Sequence, residues 1–335
     1  MPVIESASLA PDLKICRILN GMWQVSGAHG AINPDLAVDS MITYHDLGLT
    51  SWDMADIYGP AEILFGKFRR AIAARNDDCL SQITALTKFV PNPGPMTKSI
   101  VESAVDRSRT RMNVSAIDAI QFHWWDYSDE RYLDAMRCLA DLKDDGKVRH
   151  IGLTNFDTAR MYAMSDNGLE FVSNQIQYSI IDQRPLVQMT AFCSKNNVGL
   201  LAYGTLAGGL LSEKYLKAPE PKRADLYTAS LQKYKNMIDA WGGWSLFQKL
   251  LAVLDDVAKK HHVQIPTVAI RYILDKPCVS GVIVGARLGI SDHASENLAA
   301  FDLKLDSDDR ARIDEFSSNC NDLYSLIGDC GDEYR

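Results

Sequence analysis

Eight short apolar runs, alternating with longer amphipathic segments, constrain this chain more than any other feature. They fall at 18–24, 49–55, 83–90, 117–123, 148–154, 171–178, 198–203 and 280–285. Rich in Val, Ile and aromatics, they are mostly continuous rather than alternating, the pattern of parallel strands covered on both faces. Helical spacing fills the intervals. Asn33 and Pro34 offer a cap and a first-turn proline, Met41 and Tyr44 share a face, and Gly48 stops that helix. Val101, Ala104, Val105, Ser108 and Met112 space a second helix, Leu133, Met136 and Ala140 a third that halts at Gly146, and Leu246, Leu250, Leu254 and Ala258 a late one. Such alternation with short links implies right-handed βαβ units. Eight units favour a closed (β/α)8 TIM barrel of the α/β class over an open doubly wound sheet. The 335 residues then form one domain, 1–335. Two stretches, 212–244 and the tail 317–335, stand outside the alternation and are expected as loops or short helices at the carboxyl-end mouth.

Composition removes several function classes. The 35 Lys+Arg against 43 Asp+Glu give a formal charge of −8, the wrong sign for phosphate backbones or anionic lipid. Nucleic acid and membrane partners are not expected. The longest nearly apolar run, 199–211, is too short for a span of ~20 residues, and the first residues lack the basic flank and apolar stretch of a secretory signal. The seven cysteines are scattered, with no C-x-x-C pair, so neither a disulfide framework nor a cysteine-rich zinc site is expected. A cytoplasmic protein without bound metal is the expectation. His261 and His262, adjacent in a helical stretch, have the wrong spacing for one-faced metal ligation.

In a barrel the polar residues at carboxyl ends of strands are the candidates for chemistry, because the interior is otherwise filled with apolar layers. Those ends carry Asp53 with Tyr58, then Lys88, His123, Thr154-Asn155, Gln175 and Tyr203. A buried Lys88 needs an anion, and Asp53 lies one strand away. A lysine beside a tyrosine favours the phenolate, so Tyr58 is expected to have a lowered pKa and to donate protons near neutrality. Any one of these residues alone would be an ordinary turn acid, strand lysine or core histidine. Their succession on neighbouring strands reads as a proton-transfer site. No strand is followed by G-x-G-x-x-G, and the nearest approach, 204–209, has the wrong spacing.

The stretch Trp52-Asp-Met-Ala-Asp-Ile-Tyr-Gly-Pro-Ala-Glu-Ile-Leu-Phe-Gly resembles the signature of the aldo-keto reductase superfamily, with Asp53 five residues before Tyr58. Thr87-Lys88 and Ile120-Gln-Phe-His123 resemble that family's lysine and histidine strands. The resemblance, from about residue 15 to residue 303, implies hydride transfer between NAD(P)H and a carbonyl. It makes Tyr58 the general acid/base, Lys88 and Asp53 its tuning pair, and His123 the group that orients the carbonyl. It further implies that Thr154, Asn155 and Gln175 hold the nicotinamide carboxamide and that Tyr203 stacks on the ring. Gly204, Leu206 and Gly208 would follow the pyrophosphate, with Gly204 standing where many members have Ser. Gly285, Arg287, His293, Glu296 and Asn297 would form the adenosine-phosphate end. Arg287 suits a 2′-phosphate and favours NADP(H). His293 at the second basic position leaves NAD(H) possible.

Trp23 and Trp124 are read as walls of a slot for a small-molecule carbonyl or alcohol substrate. The tail, with Cys320 and Cys330, is read as a mobile lid rather than a redox pair. A monomer is the default, since a closed barrel exposes no strand edge. The rival reading is a cofactor-binding regulatory subunit with slow or vestigial turnover, as in relatives such as potassium-channel β subunits. A metal-dependent barrel hydrolase lacks its ligand cluster in this sequence.

Overall fold

The computed structural model describes residues 3–30, 32–75 and 78–334, and of residues 78, 317 and 318 the backbone alone. A hairpin comes first, β1 (Ser6–Ala10) and β2 (Leu13–Cys16), turning at Pro11-Asp12. The barrel strands follow: β3 (Ile18–Gly21), β4 (Ser51–Asp53), β5 (Thr84–Phe89), β6 (Ile117–His123), β7 (Val148–Thr154), β8 (Ser173–Gln177), β9 (Gly199–Tyr203) and β10 (Val279–Gly285). They close in the order β10-β3-β4-β5-β6-β7-β8-β9, with every neighbouring pair parallel, including β9 with β10. The expected (β/α)8 barrel is the fold.

Helices α1 (Pro34–Asp46), α2 (Ala61–Ala74), α3 (Lys98–Met112), α4 (Tyr132–Asp144), α5 (Thr158–Asp166) and α6 (Met189–Asn196) each link successive strands. The local signals explain their limits. Asn33 Oδ1 accepts from the amides of Asp35 and Leu36, Pro34 takes the first turn, and Gly48 leaves α1 with φ of 89°. Helix α3 buries the same five residues that spaced it in the sequence, of which Val101, Val105 and Met112 contribute roughly 1.5–3 kcal/mol each.

The hairpin is a feature the run pattern does not show. Leu9, Leu13 and Ile15 pack with Leu19, Leu86, Ala119 and Leu201 into a separate apolar cluster. Leu86 and Ala119 share the interior parity of Lys88 and His123, so this cluster closes the end of the barrel opposite the mouth.

Two expectations change and one is refined. The segment 212–244, expected as loops or short helices, has short 3-10 turns that lead into a 13-residue helix, α7 (Ala229–Trp241), and α8 (Gly243–Lys260) follows at once. His261 and His262 do not lie within a helix. His261 caps α8, bonded to Asp309 at 2.7 Å, and His262 has φ of 55°. The tail is seated rather than loose: beyond α9 (Ile265–Leu274), α10 (Ala294–Asp302) and α11 (Ser307–Asp314), a short α12 (Leu323–Ile327) leads to a segment packed on the mouth, with Cys330 fully buried. None of the seven cysteines is in a disulfide, and no described helix is long and apolar enough to cross a membrane.

Candidate active site

The carboxyl ends of β4, β5, β6 and β8 bring four polar side chains into one buried group. Asp53 ends β4, and its Oδ2 accepts from Lys88 Nζ on β5 at 2.7 Å. Lys88 also donates to the carbonyl of Met54 at 3.0 Å. The other carboxylate oxygen, Oδ1, accepts from the amides of Gln121 at 2.7 Å and Gln175 at 2.6 Å. Asp53 and Lys88 are each 3% exposed. A pair so dry persists only if its remaining lone pairs and protons are satisfied, as they are.

Tyr58 lies in the turn between β4 and α2, where its amide donates to Ala55. Lys88 Nζ is 5.0 Å from the centre of its ring, and Trp23 meets the ring edge-on at 5.0 Å. The direction of its pKa is opposite to the expected one. Burial, and after it the negative charge of Asp53, hold the Tyr58 hydroxyl well above its ordinary value. Lys88 is itself pushed down by burial, which Asp53 only partly offsets. Its charge is largely spent on Asp53, so Tyr58 keeps its proton.

His123 ends β6. Its Nδ1 is 3.0 Å from the carbonyl oxygen of Thr154 on β7. A carbonyl only accepts, so Nδ1 carries the hydrogen. The neutral ring then presents Nε2 as an acceptor, and the protonated ring presents it as a donor. Trp125 stands edge-on to this imidazole at 4.4 Å. Trp124 does not line the mouth as expected: it is fully buried, and its indole N–H donates to the carbonyls of Asp126 and Asp129. Side chains alternate along extended chain, so 123 and 125 share one side and 124 takes the other. Trp23 is placed beside Tyr58.

The residues assigned to the nicotinamide end are adjacent. Asn155, in the left-handed region with φ of 58°, accepts at Oδ1 from the Tyr203 hydroxyl at 2.8 Å. Thr154 Oγ1 is buried without a hydrogen-bond partner among the described residues, an orphan that an incoming polar group would satisfy. Gln175 spends both amide hydrogens inward, on Asp53 and on Gln121 Oε1 at 2.7 Å. Only its carbonyl oxygen remains for a ligand. Gly204 and Gly208 have φ of 73° and 65°, and a Cβ at either would strike Tyr234 of α7 at 2.3 or 2.9 Å. These two glycines therefore serve the packing of α7, with Leu206 between them. At the other end, Arg287 is exposed after β10, and Gln24 packs against Gly285. His293 caps α10 with its Nδ1 2.6 Å from Glu296, and Asn297 follows on the same helix.

The tail adds residues that sequence reasoning did not reach. Arg184, buried after β8, is bidentate to Asp182 at 2.9 and 2.8 Å and bonds Glu333 at 3.0 Å. Burial pushes the Glu333 carboxyl up, but Arg184 and Lys233 outweigh it and hold it below its ordinary value. Tyr334 accepts from Lys233, lies 3.1 Å from the Tyr203 hydroxyl and meets His123 at 6.2 Å between ring centres. Gln121 and Trp125 were legible in principle, since a two-residue step from His123, back along β6 or onward just past its end, reaches both. The tail contacts had no such signal.

Residues 17–318 match the family model described as "Aldo/keto reductase family". Among relatives, the chain is 27% identical over 264 residues to flagellar radial spoke protein 5 of Chlamydomonas reinhardtii, spanning 67% of this chain but only 49% of that protein. It is 26% identical over 317 residues to aryl-alcohol dehydrogenase GME11368 of Pestalotiopsis microspora, covering 89% of this chain and 76% of the relative. An NADH-specific methylglyoxal reductase of Escherichia coli strain K12 is 23% identical, over 91% and 96% of the two chains. The crystal structure of an aldo/keto reductase from Klebsiella pneumoniae in complex with NADP and acetate superposes with a TM-score of 0.70 at 19% identity, covering 93% and 95%.

Proposed function

The chain belongs to the aldo/keto reductase family, and from that premise we propose that it is an NAD(P)H-dependent oxidoreductase interconverting a small-molecule carbonyl and its alcohol, with Tyr58 as general acid/base. The observation that carries the reading is the dry Asp53–Lys88 pair set beside Tyr58, with His123 at the same mouth. Bound reduced nicotinamide supplies the hydride that the carbonyl carbon receives. Thr154 Oγ1, Asn155 and Gln175 Oε1 fit its carboxamide, Tyr203 its ring, and the 204–208 turn its pyrophosphate.

The chain's own residues do the rest. As negative charge builds on the carbonyl oxygen, the Tyr58 hydroxyl gives up its proton to that oxygen. Lys88, held in place by Asp53, stabilises the phenolate left behind. His123, its ring fixed by the bond from Nδ1 to Thr154, orients the carbonyl oxygen by donating from Nε2 in its protonated form. A Tyr58 hydroxyl that retains its proton suits the reductive direction, because the acid is loaded before substrate arrives. Trp23 and Trp125 flank the reacting position and fit an apolar, preferably aromatic, substituent; the relative named as an aryl-alcohol dehydrogenase agrees with that choice.

NADP(H) is the favoured cofactor, since the exposed Arg287 guanidinium suits a 2′-phosphate. Use of NAD(H) as well is consistent with the Glu296 carboxylate beside His293, which suits a ribose hydroxyl. The relative named as a flagellar radial spoke protein favours a second reading, a cofactor-binding subunit of an assembly. One assay separates the two: oxidation of NADPH and NADH at 340 nm with aromatic and aliphatic aldehydes, for the natural chain and Tyr58→Phe, with cofactor binding measured in both. The reductase reading expects turnover that falls by about 10²-fold or more in a variant that still binds cofactor. Tight cofactor binding without turnover on any carbonyl would overturn the reductase reading and favour the subunit reading instead.

A further inference from the structure

Gln121 lies at the centre of the buried group and is used by no step above. It is fully buried on the interior face of β6, two residues before His123, and its register neighbours are Lys88 on β5 and Gly152 on β7. Its amide nitrogen donates to Asp53 Oδ1 at 2.7 Å, while its Oε1 accepts from Gln175 Nε2 at 2.7 Å. These two bonds fix which way both amides face. Gln121 must present nitrogen to the carboxylate and oxygen to Gln175. Gln175, with one hydrogen on Asp53 and one on Gln121, must turn its own oxygen away from them. Space for the arrangement comes from Gly152, where a Cβ would sit 2.6 Å from Ser173 Oγ and 3.5 Å from Gln121 Cγ.

We propose that Gln121 is a positioning residue of the reaction: its amide keeps Asp53 charged and aimed at Lys88, and locks Gln175 with its carbonyl oxygen toward the cofactor. The inference rests on the reading of Asp53, Lys88 and Tyr58 as the proton-transfer group. Two amide bonds to Asp53 compensate the carboxylate for lost water. With one removed, the carboxylate is under-solvated and no longer held facing Lys88, and the cation that stabilises the phenolate of Tyr58 loses its fixed place. In the same variant Gln175 is free to rotate, which weakens cofactor binding.

Two substitutions of nearly equal size test this. Gln121→Met fills the space without an amide. Gln121→Glu, when protonated, reproduces the hydrogen bonds, with the acid O–H donating to Asp53 and the C=O accepting from Gln175; when ionised it opposes Asp53. The groups facing position 121 are Asp53 from β4, Lys88 from β5, Gly152 from β7, and Ser173 and Gln175 from β8. Burial and the Asp53 charge therefore raise the introduced carboxyl into an accessible range, as buried glutamates reach about 8–9.

The expected result is that Gln121→Met loses about tenfold or more in kcat/KM at every pH, with its basic limb displaced. Gln121→Glu is expected to match the natural chain near pH 5.5 and to fall to the level of Gln121→Met by pH 9. A packing role predicts that Gln121→Met, which fills the same space, keeps the natural kcat/KM and pH profile, and that result would overturn the proposal. A readout independent of turnover is the melting temperature. The Gln121→Glu deficit should be small at pH 5 and grow as pH rises, because a carboxyl raised in the folded state loses stability through that range. A deficit that is flat with pH also overturns the proposal. Inactivity of the natural chain, with cofactor bound, would instead count against the reductase reading and leave the melting test of Gln121 standing.

Discussion

Asp53→Asn isolates the energetic core of the site. The substitution keeps shape and volume, so no cavity opens, and only charge and hydrogen bonding change. Lys88 and Asp53 side chains are 3% and 4% exposed, so water cannot replace the lost anion. Asn has one acceptor and one donor where Asp offered two acceptors. If its oxygen turns to Lys88, its NH2 faces the donors of Gln121 and Gln175; if it turns the other way, its NH2 faces the ammonium. At least one opposition of donors survives in either rotamer. Breaking a buried pair by removing one partner costs about 3–5 kcal/mol. Scaled by the unfolding entropy of 335 residues, that is a fall of roughly 4–7 °C in melting temperature.

The pH dependence gives the sharper test. Burial already depresses Lys88 in the folded chain. A lysine depressed on folding binds its proton more weakly in the folded than in the unfolded state, so stability rises with pH between the two values. Removing the Asp53 charge lowers the folded value further and widens that window. The deficit of Asp53→Asn should be largest near pH 6–7 and shrink toward the unfolded lysine value of ~10.4. Thermal melts of both proteins at pH 6, 7.5 and 9 measure it. A deficit under about 1 °C, or one that widens with pH, would refute the assignment of this pair as a buried charge pair.

Three further outcomes follow from the same structure. Trp124→Ala should cost about 3–5 kcal/mol in urea unfolding, because the side chain is fully buried, whereas Trp125→Ala, 38% exposed beside His123, should leave stability nearly unchanged and raise KM for aromatic aldehydes. Burial pushes the Asp56 carboxyl up to about 6 from an unfolded ~3.9, so it favours folding only while protonated. Asp56→Asn, which keeps an acceptor for the Val90 amide, should stabilise by about 1–2 kcal/mol at pH 8 and by nothing at pH 4. Arg184→Lys keeps the charge but loses the fork that joins Asp182, Glu333 and the Asp329 carbonyl. Hydrogen exchange should then speed at 329–334 while the barrel strands stay protected.

Much was legible because barrels impose strong periodicity. Short buried runs between amphipathic helices locate β3 to β10 to within a few residues, and caps such as Asn33-Pro34 and the α3 face 101–112 read directly. The hairpin β1–β2 escaped because two short strands with alternating exposure give little signal beside eight continuous ones. Trp124 was misplaced because two adjacent tryptophans have equal composition, and only the strand's phase decides which one faces His123. The pKa of Tyr58 runs opposite to the expected direction because the expected bond of Lys88 to Asp53 leaves little lysine charge for the tyrosine, and the depth of Tyr58's burial, which outweighs the rest, is set by packing that the sequence does not show.

The order of strands, the carboxyl-end location of the polar residues and the identity of the Asp53, Tyr58, Lys88 and His123 group are properties of the linear sequence. Local periodicity and one-strand steps carry them, and neither depends on distant packing. What sits on the mouth was decided by the tertiary structure alone. Arg184 meets Glu333 and Tyr203 meets Tyr334 across separations of 149 and 131 residues, and α7 is laid over Gly204 and Gly208 by Tyr234. Such contacts depend on complementary shape and paired charge once the barrel has closed, and no short-range pattern encodes them.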